Sequence, residues 1–428
     1  MTFGYFWIFL LLLAAGMPVV FALLVAPGLS LWFDGEVVFH KALLSRLYNG
    51  IDSFPLMALP FFILAGQLMN SGGITRSIVD FSQSMLGHVR GGLAQVNICS
   101  SLLFAGLSGS AVADASALGK IFIPAMAHSG YNRSFAAAIT SASAVIGPIL
   151  PPSGIMILYA YLMNVSVAGL FAAGIVPGLL IAAGLMLMTS YLAVKRDYPV
   201  AGTRASWSER SNAFKAALPA LCTPVILLGG ILSGFFTPTE AAAVAVVYAL
   251  VVAVFLMRTL KTGNLLPIFI DSAVQSGVVL LLVGASVSLA WMITVSGLAT
   301  VLTDAMSALT DNELLLLFFL NLLLLVIGMF LDAGPAVLVL GPVLAPMFIE
   351  MGMDPLHFAV VMCVNVTVGL ATPPMGLVLF VGASVSGERV EKIARHMVPF
   401  LAVEVLVIFL ITYFPSISLS LPRWLGYA

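Results

Sequence analysis

Two runs of small and polar residues interrupt stretches that are otherwise apolar enough to be buried in lipid. The first is Gly106-Leu107-Ser108-Gly109-Ser110, with Asp114 about one turn further on. It faces a second interruption, Ile146-Gly147-Pro148-Ile149-Leu150-Pro151-Pro152-Ser153. Prolines cannot donate a backbone hydrogen bond and push the preceding residue out of helix. Carbonyls around such a break lose their partners and become oxygen ligands for a hard cation such as Na⁺. Half-helices restarting after the break aim their positive dipole ends at the same spot, which suits an anion. The later half of the chain supplies matching parts: Gly328, Asp332 and Gly334-Pro335, facing Asn365, Thr367, Gly369, Thr372, Pro373 and Pro374.

These runs give two sets of candidates. Cation ligands, largely backbone oxygens, are Ser108, Gly109, Asp114, Gly147, Gly328, Asp332, Gly369 and Thr372. Substrate contacts are Ser108, Ser110, Pro151, Pro152, Ser153 and Thr372. A carboxylate at membrane depth is costly and functional by default. Asp332 reads as a member of a cation site, while Asp114 reads equally as that or as the N-cap of the helix it opens. Lys120 either pairs with a carboxylate or snorkels to an edge. The serines have an alternative use as helix-packing residues, common in membranes.

The elements that position these residues occur twice. Sliding the chain against itself by 222 positions places Gly106 on Gly328, Gly147 on Gly369, Pro151-Pro152 on Pro373-Pro374 and Gly154 on Gly376. Paired helix breaks in two halves point to a transporter's central site. The chain is 61% hydrophobic and 8% charged with a net charge of −1, so it is an integral membrane protein without a nucleic-acid partner. Cys99, Cys222 and Cys363 are scattered through apolar runs and read as small core residues. The N-terminus lacks a basic region before its apolar run, so a retained helix is expected there rather than a cleaved signal.

A bilayer crossing needs roughly 20 apolar residues. On that rule crossings fall near 4–31, 53–70, 133–163, 166–194, 216–234, 239–257, 266–296, 356–386 and 398–415, the third and eighth being broken. Stretches 92–128 and 313–350 carry a mid-way bend and read as re-entrant hairpins. With the N-terminus cytoplasmic, inside loops collect thirteen Lys and Arg, among them Arg90, Arg133, Arg196, Lys261, Lys392 and Arg395. Outside loops hold only Lys41, Arg46 and Arg423, as the positive-inside rule requires. The expected fold is therefore all-α, a single polytopic domain of two inverted repeats with the C-terminus outside, which is the periplasmic side if the membrane is a bacterial inner one. The first repeat is 1–194, a cytoplasmic loop and linking helix fill 195–238, and the second repeat is 239–428. Residues 34–50 read as an interfacial helix, and Thr237-Pro238-Thr239-Glu240 as a capping box.

Other chemistries fit less well. No phosphate-binding Gly-rich loop ending in Lys-Ser/Thr occurs, because Gly119-Lys120 is followed by Ile121. ATP is therefore not expected; nor is a redox cofactor. Gly106-Leu107-Ser108-Gly109 fits the Gly-x-Ser-Gly pattern of rhomboid proteases, but the five histidines fall near span ends and leave no base at depth. A channel needs a continuous polar pore, whereas here polar groups concentrate at the breaks.

The blocks at both breaks resemble the large membrane (M, DctM-like) subunit of tripartite ATP-independent periplasmic (TRAP) transporters. Matching stretches are Phe61–Gly66, Leu107–Asp114, Ile146–Ser153, Phe235–Ala243 and Gly369–Gly376, in order along the whole chain. The resemblance implies an elevator-type carrier in the bacterial inner membrane, driven by a Na⁺ gradient; protons, using Asp114 or Asp332, are the alternative coupling ion. It implies import of small organic acids, such as dicarboxylates, sialic acid or other sugar acids, delivered by a periplasmic binding protein (P). It also implies a separate small four-helix membrane subunit (Q). Family Na⁺ sites carry over onto Ser108–Asp114 with Gly147–Pro152, and onto Gly328–Asp332 with Gly369–Thr372.

Overall fold

The computed structural model describes residues 4–36, 39–198, 204–260, 262–298, 300–301 and 312–427, and these residues are helical with no β-strand among them. The first half holds α1 (Gly4–Ala14), α2 (Val19–Phe33), α3 (Phe39–Ile51), α4 (Ala58–Ser71) and α5 (Ile74–Leu86). It continues with a hairpin, α6 (Gly92–Ser108) and α7 (Ala111–His128), a broken pair, α8 (Arg133–Ala144) and α9 (Gly154–Leu162), and α10 (Val167–Lys195). Next come α11 (Trp207–Leu232), α12 (Pro238–Leu250) and α13 (Leu265–Ser296). The second hairpin is α14 (Glu313–Phe330) with α15 (Ala333–Glu350), and the second broken pair α16 (Pro355–Gly369) with α17 (Leu377–Ser386). The chain closes with α18 (Val390–Tyr413) and α19 (Ser416–Trp424). Among the described residues eight helices are long and apolar enough to cross a membrane.

Local chemistry explains where these helices start. The capping box at Thr237 forms: its side chain accepts from the Glu240 N–H, and Glu240 accepts from the Thr237 N–H at 2.8 Å. α7 and α15 start 222 residues apart, capped by Ser110 and Asp332, and α8 and α16 likewise, capped by Asn132 and Asp354. Each cap satisfies N–H groups that an interrupted helix otherwise leaves bare. The Pro151-Pro152 and Pro373-Pro374 peptide bonds are both cis. The hairpins turn at Gly109-Ser110 and at Leu331-Asp332, just beyond the glycines Gly106 and Gly328, which remain helical.

The expected single crossing at 4–31 is two short helices instead. Gly16 takes a left-handed backbone, φ +84°, and the Met17 N–H reaches back to the Leu12 carbonyl, a helix-ending motif, before Pro18 precedes α2. α1 and α2 then pack on each other. At 1.5 Å per residue, 11 and 15 residues reach roughly 16 and 22 Å, less than the bilayer's ~30 Å hydrocarbon core. A second asymmetry follows from Pro55, which opens a short 3₁₀ turn between α3 and α4. The position 222 residues later is Gly277, and α13 runs through it unbroken for 32 residues. α3 itself covers most of the expected interfacial helix, with 37–38 outside the described residues, as is Lys261.

Contacts sort the helices into two sets. α2, α3, α4, α12 and α13 pack mainly on one another, whereas each hairpin packs on the broken pairs: α7 on α8 and α17, α14 on α16, α15 on α9. Polar side chains tie hairpin to break in both halves. Asn97 donates to Thr140 Oγ1 at 2.7 Å and Ser101 to Ser143 Oγ at 2.9 Å, while Asn365 donates to Asn321 Oδ1 at 2.8 Å. Loops expected on one face also meet. Arg90 pairs with Asp197, and Arg133, Lys392 and Arg395 line one cavity together.

Gly328 and Gly369 show how tight the second hairpin sits. A Cβ on Gly369 would lie 2.6 Å from the Gly328 Cα, backbone that cannot yield. Gly369→Val therefore overpacks the joint and lowers stability by about 1–3 kcal/mol. Thermal unfolding of the purified chain in detergent tests this; an unchanged midpoint contradicts the packing.

Candidate functional site

A cavity of about 430 Å³ opens where the first hairpin tip, the first break and the second hairpin tip come together. Three helices present their first turns to it: α7 through Ala111 and Val112, α9 through Gly154 and Ile155, and α15 through Ala333 and Gly334. Each N-terminus carries about half a positive charge, and its cap, Ser110, Ser153 or Asp332, takes up one N–H of the first turn and leaves others for a ligand. Among the described residues four lining side chains are polar, Ser108, Ser110, Gln275 and Asp332, and none is Lys, Arg or His. Positive potential therefore comes from backbone.

The hairpin tip is shaped to bring this backbone close. Gly109 has φ +60°, and a Cβ there would sit 2.9 Å from the Pro152 carbonyl, so only glycine fits both the conformation and the approach. The Ser108 hydroxyl donates to Asp114 Oδ1 and accepts from the Ser110 N–H at 3.2 Å. Ser110, not Asp114, caps α7. Asp114 is instead fully buried, with no hydrogen-bond partner for Oδ2. Its carboxylate lies against Gly147, so close that a Cβ there would collide with it. A carboxylate oxygen buried without a donor at an interrupted helix suits a bound cation, and the donor set is the hard oxygen type that Na⁺ takes.

The expected site residues divide. Ser108, Gly109, Ser110, Pro152 and Asp332 line the one cavity, and Asp114 with Gly147 lies directly behind it. Asp332 is exposed, caps α15 and accepts from the Ala333 N–H at 2.8 Å. Gly328 and Gly369 form the tight joint, away from the lining. Ser153 is buried and serves backbone, donating to the Pro148 carbonyl and accepting from the Met156 N–H. Thr372 donates to the Val368 carbonyl at 2.9 Å, and neither it nor Pro151 is among the lining residues. Lys120 is exposed.

The breaks are also less bare than prolines alone suggest. Three-residue turns re-bond several carbonyls: Ser143, Ala144 and Ile146 in the first, Thr367, Val368 and Gly369 in the second. Two polar residues lie outside the motifs. Gln275 on α13 lines the cavity, and Glu404, mid-way along α18, is fully buried with both carboxylate oxygens unpartnered. Glu404 is a lone polar residue in a long apolar run, the signal that marks it in the sequence, whereas Gln275 sits among Asp271, Ser272 and Ser276 and nothing local singles it out.

Residues 6–417 match the family described as tripartite ATP-independent periplasmic transporter, DctM component. The chain belongs to that family. It is 40% identical over 417 residues to the sialic acid TRAP transporter large permease protein SiaM of Vibrio cholerae, covering 97% of each chain. It is 36% identical over 386 residues to the C4-dicarboxylate TRAP transporter large permease protein DctM of Pseudomonas aeruginosa, covering 90% of each. In fold it is similar to the YdaH transporter of Alcanivorax borkumensis, at TM-score 0.61 and 17% identity, over 92% of this chain and 89% of that one. The protein is thus a TRAP large permease, a multi-pass inner-membrane transporter component and not an enzyme.

Gly147→Ala places a methyl group against the Asp114 carboxylate and is expected to abolish transport by this TRAP permease. Gly119→Ala, in α7 with only ordinary contacts of 3.5 Å and beyond, is expected to retain it. Equal uptake by the two variants contradicts the role of the Asp114–Gly147 contact.

Proposed function

We propose that this permease imports a small organic anion together with Na⁺, handed over by a periplasmic binding protein and supported by a separate small four-helix membrane subunit. The convergence of three helix N-termini on one cavity carries the anion reading. Magnitudes favour a co-transported cation. A helix N-terminus contributes roughly 0.3–1 kcal/mol, up to about 2 when partly buried, while a desolvated carboxylate costs several kcal/mol. Three termini offset this only in part, Asp332 at the cavity edge opposes the anion, and no basic side chain is among the described lining residues. A Na⁺ ion held by Asp114 Oδ2 and backbone oxygens around Ser108, Gly109 and Gly147 supplies the missing charge. Gly328–Asp332 and Gly369–Thr372 form the corresponding second position.

Coupling then follows from order of binding. Na⁺ arrives first and fixes the hairpin tip against the break; the anion next docks on the first turns of α7, α9 and α15 and on Ser108 and Ser110. The hairpins and broken helices, related as inverted repeats, move as one elevator against α2, α3, α4, α12 and α13, the set with which they share fewer contacts. Organic acids as cargo are supported by the relatives, one named for sialic acid and one for C4-dicarboxylates. Protons are the second reading, favoured by the same unpartnered oxygen of Asp114.

Uptake in proteoliposomes holding all three components separates these. A Na⁺ gradient at constant pH is expected to drive accumulation, and a pH gradient without Na⁺ is not. Asp114→Asn, which keeps shape and removes charge, is expected to raise the Na⁺ concentration for half-maximal uptake at least tenfold, on the order of 1.4 kcal/mol. Accumulation driven by pH alone, or an Asp114→Asn variant that behaves as wild type, contradicts the Na⁺ assignment.

A further inference from the structure

The cavity has two unlike walls. The hairpin tips and the first break supply the helix N-termini and both serines. The rest comes largely from α4, with Leu59, Phe62 and Ile63, and from α13, with Val274, Val278 and Val279. On that second wall Gln275 is the single polar side chain among the described lining residues, exposed between Val274 and Val278, with Asp271 exposed one turn earlier on α13 and outside the lining. Its amide both donates and accepts.

Resting on the organic-anion reading above, we propose that the site selects a compact monocarboxylate with an aliphatic body and one further keto or hydroxyl group, and that Gln275 is the specificity-determining residue that binds that group. The carboxylate takes the N-terminal wall, where the only positive potential lies. The body then lies along α4 and α13, within a cavity of about 430 Å³. A polyhydroxylated acid leaves hydroxyls against apolar side chains, each unpartnered group costing roughly tenfold in affinity. A second carboxylate meets a wall without any cationic side chain.

The full chain in lipid nanodiscs, in excess NaCl, is titrated with ketoisocaproate, isocaproate, succinate and gluconate, following the shift in thermal unfolding. Ketoisocaproate is expected to half-saturate at a concentration at least about tenfold below succinate or gluconate, and several-fold below isocaproate. Gln275→Leu, and Gln275→Met as a variant of closer shape, are expected to bring ketoisocaproate and isocaproate to parity. Gluconate or succinate binding as tightly as ketoisocaproate overturns the proposal and leaves the organic-anion reading standing. A keto preference that survives both substitutions overturns the role of Gln275. Binding of none of the acids contradicts the organic-anion reading itself.

Discussion

Backbone that leaves the helix inside hydrocarbon must find other partners or be walled off from lipid. Among the described residues the hairpins and broken helices make four such departures, two at hairpin tips and two at proline breaks. Three of them surround one cavity, and the fourth reaches it only through Leu370. The same requirement that forbids bare N–H groups in lipid makes them available to a ligand once they face inward. On the proposed reading, binding capacity is a consequence of how the helices end, with few charged side chains involved.

Holding those ends in place is the work of small residues and buried amides. Gly109 lets the hairpin tip approach the Pro152 carbonyl, and Gly328 meets Gly369 backbone to backbone. Asn97 with Thr140, and Asn321 with Asn365, fasten each hairpin to its broken helix across distances of 2.7–2.8 Å. A hydrogen bond between buried amides is worth only about 1 kcal/mol net, yet losing one partner costs more because the other is stranded. Such joints give a unit that keeps its internal geometry if it moves.

Much of this was legible in the sequence because Gly and Pro punctuate apolar runs at the same spacing twice. The hairpins at 92–128 and 313–350 and the broken helices end within a residue or so of their expected limits. The Thr237 capping box was legible for the same reason, since its residues act within one turn. Side-chain roles were harder. Asp332, expected in or beside a cation site, caps a helix, and Asp114, read equally as a cation ligand or an N-cap, is buried against Gly147 while Ser110 does the capping. Nothing local distinguishes them, because the difference lies in which neighbour folds over the carboxylate. Gln275 carried no motif and became visible only once α13 lay beside the hairpins. The early crossing at 4–31 failed since composition counts apolar length but not the turn at Gly16–Pro18.

The central claim is that the first turns of α7, α9 and α15 jointly hold the transported anion beside a cation at Asp114. The most direct measurement is an electron-microscopy map of the permease with its partners, in Na⁺ and saturating substrate. Density for the acid within hydrogen-bonding reach of Ser110–Val112, Gly154 and Ala333–Gly334, with an ion peak at Asp114 Oδ2, is the predicted result. Substrate density elsewhere, or these three helix ends turned toward lipid, contradicts the account.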